Sequence, residues 1–260
     1  MILSVEALTK NFAGLVAVNA LSIQVRRNSI TALIGPNGAG KTTALNLITG
    51  VLRPTAGRVL LKGADITGRS PHSIASNGMT RTYQNLQMFE GMTVLETVMV
   101  GAHRVGRSTW LAALLRAPSV VAEEKDLRNR AMAALDRAGV PASYSGRVAA
   151  ELPYGWQRRV EIARAIASGV DMLLLDEPAA GLNNQESETM AQLICELREG
   201  GTTVLLVEHD MNLVMGISDQ VIVMNFGQLL SQGTPDQVQN DPAVVEAYLG
   251  KGAEAADAVA

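Results

Sequence analysis

Cysteine is almost missing from the 260-residue chain: Cys195 is the only one, so no internal disulfide can form. It lies in the helix-like run Met190 to Leu197, where it reads as a small buried hydrophobe rather than a nucleophile or ligand. No stretch approaches the roughly 18 uninterrupted apolar residues that a membrane span requires. The opening, Met1 to Lys10, carries polar Ser4, Glu6 and Thr9, and so lacks the basic region and apolar block of a signal peptide. Excess charge is lacking too. A formal net charge of -3 and a pI near 5.7 give no global pull toward nucleic acid or anionic lipid, both of which favour clustered Lys and Arg. There is no internal repeat. The chain reads as cytosolic, and any partner has to be found through local features.

What is present is enough apolar material, 47% of residues, for one substantial core or for one core with a smaller lobe. Leu15 to Leu33 and Gly57 to Ile66 alternate apolar and polar residues around turn signals at Arg27-Asn28 and Arg53-Pro54, which predicts a strand-rich N-terminal lobe. Thr43 to Ile48 reads as a helix. Helices are expected next over Leu111 to Leu115 and Lys125 to Ala138, with a break at Pro118. The remainder alternates helix Arg158 to Ala167, strand Met172 to Leu175, helix Ser187 to Glu199 and strand Thr203 to Val207, a pattern of parallel strands with helical crossovers. A hairpin follows, Gln220 to Asn225 and Gln228 to Ser231, turning at Phe226-Gly227. The fold class is α/β. One domain is expected over residues 1–250, and the small, weakly charged residues 251–260 read as a fraying tail.

Gly35-Pro36-Asn37-Gly38-Ala39-Gly40-Lys41-Thr42 matches the phosphate-loop pattern and sits where that pattern needs to sit, between the apolar strand Ile30 to Ile34 and a helix. Glycines let backbone N–H groups curl around phosphate oxygens, and the helix N-terminus adds positive potential. Lys41 would reach the β and γ phosphates and Thr42 would ligate Mg²⁺; Thr43 completes the nucleotide-binding set. Downstream, Met172 to Leu175 is a buried-strand run ending in Asp176 and Glu177, at the carboxyl edge where α/β sheets bind ligands. Asp176 is the candidate holder of Mg²⁺, and Glu177 the candidate base for the attacking water. Two acids at a strand end, taken alone, more often cap the next helix; paired with the phosphate loop, the catalytic reading prevails. Strand Thr202 to Val207 ends in Glu208-His209, so His209 is expected at the same sheet edge, within reach of the γ phosphate. His72 and His103 have no companions at metal-ligand spacing, which leaves Mg²⁺ arriving with the bound nucleotide as the ion expected.

The order of these motifs resembles that of the ABC ATPases. In that resemblance Gln84 corresponds to the glutamine that contacts Mg²⁺ and the membrane-subunit interface, His209 to the switch histidine, and Phe12 to the aromatic that stacks on adenine, although a Phe in a strand-rich lobe is more often core. Closer still, Arg81-Thr82-Tyr83-Gln84-Asn85, Arg158 to Ala165, Asp176 to Asn183, Leu213 to Asp219, Gly233-Thr234-Pro235 and Ala247-Tyr248-Leu249-Gly250 are similar to the LivG-type ATP-binding subunits of branched-chain amino acid importers. The likeness runs from Leu3 to Leu249. It implies an ABC cassette with a RecA-like P-loop core, an N-terminal antiparallel β lobe and a helical subdomain inserted over roughly residues 86–165. It also implies an ATPase on the cytoplasmic face of the cell membrane. Its partners would be a second cassette in a head-to-tail dimer, heteromeric in this branch, two transmembrane permease subunits, and indirectly a soluble substrate-binding protein; nucleic acid is not among them. Within Gln84 to Gly101, the apolar Phe89, Met92, Val94, Leu95 and Val98 are more often core, but the resemblance puts part of that surface against the permease.

The departures fall in the signature. Where the family pattern is L-S-G-G-Q, the chain has Leu152-Pro153-Tyr154-Gly155-Trp156-Gln157. Pro153 offers phosphate neither a hydroxyl nor an N–H, yet it suits the first turn of the helix that should follow. By the resemblance, Pro153, Tyr154, Gly155, Trp156 and Gln157 would close over ATP held by the opposite chain. Asn183 stands where many of these ATPases carry an aspartate. Alternatives remain open at this stage: a related amide or urea importer or a lipid exporter, a non-transport ABC protein acting on ribosomes or DNA, or a P-loop binding module without catalysis. The charged linker between two cassettes and the long coiled-coil insertion expected of the non-transport types are not in the sequence.

Overall fold

A computed structural model describes residues 1–82, 88–102 and 118–248. Gln84, His103, the helix expected over Leu111 to Leu115 and the tail 251–260 lie outside the described residues.

The N-terminal lobe is a four-stranded antiparallel sheet, made of β1 (Leu3–Phe12), β2 (Leu15–Val25), β4 (Ala56–Leu61) and the short β5 (Ala64–Asp65) in the order β2-β1-β4-β5. The second sheet has six strands in the order β10-β9-β3-β8-β7-β6. Its central members are β3 (Ile30–Ile34), β7 (Met172–Asp176) and β8 (Thr203–Val207), flanked by β6 (Met79–Arg81), β9 (Gln220–Asn225) and β10 (Gln228–Gly233). All pairings are parallel except β9 with β10.

Every residue of β3, β7 and β8 is buried, as expected for parallel strands covered on both faces. The two-residue period of a strand then divides their side chains between two cores. Leu173 and Leu175 pack with Val204 and Leu206 against the helical side, whereas Met172 and Leu174 pack with Leu205 and Val207 against the N-terminal lobe. The lobe side also takes in α1 (Lys41–Ile48) through Ala44, Leu45, Leu47 and Ile48. α2 (Pro71–Ser76) precedes β6. The helical side is built by α3 (Val94–Ala102), α4 (Pro118–Arg137), α5 (Tyr154–Ile166) and α6 (Asn184–Glu199). α7 (Met211–Ile217), α8 (Pro235–Gln239) and a closing helix over residues 242–248 follow.

Three boundaries differ from the sequence reading, each for a local reason. Pro118 opens α4 instead of breaking the chain before it, because a proline at the first helical position loses no intrahelical hydrogen bond. α5 begins at Tyr154, four residues before the expected Arg158, with Pro153 as the residue immediately before the helix instead of inside its first turn. The segment read as the signature is thereby the start of a helix. Asn183 begins α6 as its N-cap: its Oδ1 accepts the Glu186 N–H at 3.0 Å, and the Glu186 carboxylate accepts the Asn183 N–H at 3.0 Å. β6, only three residues long, was too short for periodicity to reveal.

Candidate functional site

Strand register brings the motifs to one edge. Leu33 of β3 pairs with Val207 of β8, and Val207 pairs with Asp176 of β7, so the phosphate loop, Glu177 and Glu208 all leave the sheet at one level. The Glu177 N–H continues the ladder by donating to the Val207 carbonyl at 2.8 Å.

The loop between β3 and α1 needs glycine at two close approaches. At Gly35, where φ is 151°, a Cβ would lie 2.1 Å from the Met224 carbonyl oxygen, and at Gly40, where φ is 96°, a Cβ would lie 2.5 Å from that of Ala17. Asn37, Gly38 and Thr42 are exposed, while Pro36 and Ala39 are buried beneath them. Ala39 donates its N–H to the Pro36 carbonyl at 3.1 Å. Lys41 curls over the loop, donating from Nζ to the carbonyls of Gly35 at 2.6 Å and Pro36 at 3.0 Å. No acidic residue stands in the first turn of α1, so its N-terminal potential is undiminished from within. Asn37, Gly38, Ala39, Gly40, Lys41 and Thr42 line a cleft of about 470 Å³, whose wall also includes Thr43, Glu177, Val207 and the apolar Leu15, Val16 and Phe226.

Glu177 is a non-glycine residue at φ 50°, a left-handed conformation that costs roughly 1–2 kcal/mol for an L-residue. The reversal ends β7 and turns its carboxylate into the cleft wall beside the phosphate loop. Asp176, the preceding residue, is buried under a guanidinium: Arg81 Nη2 lies 2.6 Å from Oδ2, with side-chain exposures of 5% and 7%. Arg81 Nη1 also donates to Asn46 Oδ1 on α1 at 2.7 Å. Hydroxyl and carboxylate oxygens from Thr42 and Asp176 are hard donors of the kind Mg²⁺ takes alongside phosphate, although Asp176, whose Oδ2 is paired with Arg81, is not among the residues lining the cleft.

His209 stands where β8 ends, but its side chain is 69% exposed and is not among the residues lining the cleft. Its backbone N–H and its Nδ1 face Glu208, whose other oxygen accepts the Ala179 N–H at 2.8 Å. Phe12 is exposed at the end of β1 beneath the Lys10 ammonium, 5.0 Å from the ring centroid, and is likewise not a lining residue; the core position open to a Phe in this lobe is not the one it takes.

The signature residues sit apart from this cleft, at the start of α5. Trp156 packs edge-on against Tyr144, with centroids 5.2 Å apart, and belongs to the rim of the helical core. Gln157 Nε2 fastens the preceding turn by donating to the carbonyls of Ala150 at 3.1 Å and Leu152 at 2.7 Å. Pro153 and Tyr154 are exposed, and the Tyr154 ring lies against Gly181, while Gly155 faces the Glu186 side chain. Sequence reasoning missed Leu15, Val16 and Phe226 as cleft residues, because an exposed apolar residue in a strand-rich lobe carries no signal of its own. Arg81 stands in the sequence only as part of the Arg81 to Asn85 motif, with nothing local to show its pairing with Asp176.

The C-terminal segment also reaches the loop. Burial pushes the Tyr248 hydroxyl pKa up, and a backbone hydrogen bond from Gly35 works against that rise.

A phosphate loop between a buried parallel strand and a helix, with a carboxylate turned into the same cleft, defines a P-loop nucleotide-binding protein. The comparisons narrow the class. The ABC transporter family matches residues 18–180, and the family described as branched-chain amino acid ATP-binding cassette transporter matches residues 228–254. The high-affinity branched-chain amino acid transport ATP-binding protein LivG of Escherichia coli (strain K12) is 44% identical over 251 residues, 96% of this chain and 98% of that protein. BraF of Pseudomonas aeruginosa, described in the same words, is also 44% identical, with the same coverage. Among solved structures, the ADP conformation of MJ1267, an ATP-binding cassette of an ABC transporter, superposes with a TM-score of 0.83 at 34% identity, covering 96% of this chain and 98% of that one. The chain belongs to the ABC transporter family and is one of its ATP-binding subunits. The two sheets and the helical layer are those of an ABC ATPase cassette, a RecA-like P-loop core carrying an antiparallel lobe. Among the described residues no helix is long and apolar enough to cross a membrane, and no group of three or more His, Cys, Asp or Glu side chains could hold a metal ion.

Proposed function

We propose that the protein hydrolyses ATP to ADP and phosphate and thereby powers import of branched-chain amino acids. The observation that carries the reading is Glu177, held at φ 50° in the wall of the phosphate-loop cleft. In this reading the loop N–H groups and Lys41 bind the β and γ phosphates; Lys41 exchanges its contacts with the Gly35 and Pro36 carbonyls for them. Glu177 orients and deprotonates the attacking water. His209, exposed at the neighbouring strand end, swings toward the γ phosphate when the site closes. Thr42, Asp176 and Gln84 are the residues that would hold Mg²⁺, which when bound would supply charge neutralisation for the transferring phosphoryl group. Phe12, the adenine-stacking aromatic by the family resemblance, lies beneath Lys10 outside the cleft wall and would have to turn toward the cleft to reach the base.

Pro153 to Gln157 face the ATP of a second cassette in a head-to-tail dimer, with the free N–H groups at the start of α5 standing in for the missing serine. A cassette of another sequence is the expected partner, beneath two permease subunits on the cytoplasmic face of the membrane and served by a soluble substrate-binding protein. A groove of about 270 Å³ lined by Thr80, Phe89, Val100 and Arg164 opens beside the chain leading to Gln84, which supports the assignment of that surface to the permease. The helical subdomain of roughly residues 86–165 would then carry the coupling within a single domain of residues 1–250. The cargo rests on the 44% identity to LivG and BraF and on the match over residues 228–254.

The test is co-purification of the tagged Glu177→Gln chain with ATP and Mg²⁺ from detergent-solubilised cells. Recovery of two membrane subunits and a second cassette that together bind leucine, isoleucine or valine through a soluble receptor supports the reading. Recovery of ribosomes, of nucleic acid or of the chain alone sinks it.

A further inference from the structure

Phe226 is 79% exposed, although it is a phenylalanine in the tight turn that joins the buried strand β9 to the partly exposed β10. Its φ is 44° and that of Gly227 is 78°, so both central residues of the hairpin are left-handed, a geometry that favours Asn-Gly or Gly-Gly and disfavours a bulky first residue. Neither burial nor turn chemistry accounts for the aromatic ring.

The turn is also fixed in place. Gly227 donates its N–H to the carbonyl of Ala39, inside the phosphate loop, at 3.0 Å, and accepts from the Asn19 N–H on β2 at 2.8 Å. A Cβ on Gly227 would meet the Ala17 carbonyl at 2.8 Å. The hairpin is thus clamped between the phosphate loop and β2, and Phe226 projects at the lip of the same cleft that Leu15 and Val16, both exposed, line from β2. Three exposed apolar side chains around a phosphate loop leave one end of the cleft suited to phosphate and the other to a flat apolar group.

We propose that Phe226 is a base-binding residue, stacking on the nucleobase of the bound nucleotide across from Leu15 and Val16, so that the cleft recognises a purine nucleoside triphosphate rather than a triphosphate alone. This rests on the reading of the cleft as an ATP site. An aromatic face over a base contributes enough to shift affinity by roughly tenfold on truncation.

The experiment is equilibrium binding in the Glu177→Gln background, with Mg·ATP and inorganic tripolyphosphate as separate probes, for the parent, Phe226→Ala and Phe226→Tyr, each checked for folding by circular dichroism. Phe226→Ala is expected to weaken ATP about tenfold and leave tripolyphosphate unchanged, with Phe226→Tyr near the parent. Unchanged ATP affinity in a folded Phe226→Ala chain overturns the proposal. So does an equal loss for both probes, which would make the ring a support for the loop. A parent that binds tripolyphosphate but gains nothing from the nucleoside overturns the ATP reading and this inference together.

Discussion

Arg81 Nη2 and Asp176 Oδ2 lie 2.6 Å apart in the interior, and the same guanidinium reaches Asn46 on the phosphate-loop helix. One side chain therefore joins β6, β7 and α1, and it stands three residues before Gln84. Removing one member of a buried pair leaves the other charged and unsatisfied, which typically costs about 3–5 kcal/mol. Arg81→Gln is expected to lower Tm by roughly 6–20 °C, using about 2–4 °C per kcal/mol for a domain of this size. Adding Asp176→Asn should recover part of that loss, because it removes the orphaned charge. A double variant no more stable than Arg81→Gln alone would show that the two groups are not coupled.

Glu177 is expected to separate binding from turnover. Glu177→Gln keeps shape and hydrogen-bonding capacity but cannot take a proton, so ATP affinity should stay within a few-fold of the parent while kcat falls roughly a hundred- to ten-thousand-fold. A backbone consequence can be measured on the same residue. At φ 50° a glycine fits without steric cost and a β-branched residue does not. Glu177→Gly should be inactive yet melt close to the parent, and Glu177→Val should be inactive and less stable. Full kcat in Glu177→Gln would remove Glu177 from the role of base.

Much of this site is legible in the sequence because its parts are local. The phosphate loop, the buried run ending in Asp176 and Glu177, and the hairpin Gln220 to Asn225 with Gln228 onward each announce themselves within a few residues. What escapes is set by register or by distant contacts. Arg81 and Asp176 meet because β6 pairs with β7, and Phe226 faces the loop because Gly227 bonds to Ala39. The starts of α4 and α5 are not legible from apolar periodicity, because Pro118 and Pro153 sit at or just before helix N-termini, where a proline costs little and does not mark a break.

Asn183 offers a test of what its position is for. As the N-cap of α6 in a reciprocal pair with Glu186, it should contribute about 0.5–2 kcal/mol, lost in Asn183→Ala and kept in Asn183→Asp. Urea unfolding measures this directly. If Asn183→Asp matches the parent in stability but changes the ATPase rate of the assembled transporter, the residue acts between the two sites as well as on the helix. Equal stability of the parent and Asn183→Ala would remove the capping role.

Tyr248 predicts an alkaline signature. Partial burial, which leaves 38% of the residue exposed, raises its pKa above the ordinary 10.0, with the Gly35 backbone hydrogen bond opposing the rise, so the folded chain holds this proton somewhat longer than the unfolded chain as pH climbs and the effect is softened by solvent. The associated stability is complete below pH 10.0 and declines as pH climbs through the raised folded value. Tyr248→Phe has no proton to lose. The difference in urea midpoint between the parent and Tyr248→Phe should therefore be constant up to about pH 9 and then shift in favour of the variant. Because the hydroxyl reaches the first glycine of the phosphate loop, ATP affinity should be compared over the same range. A parent and a variant whose midpoints run parallel through pH 11 would show that the closing helix does not hold Tyr248 against that loop.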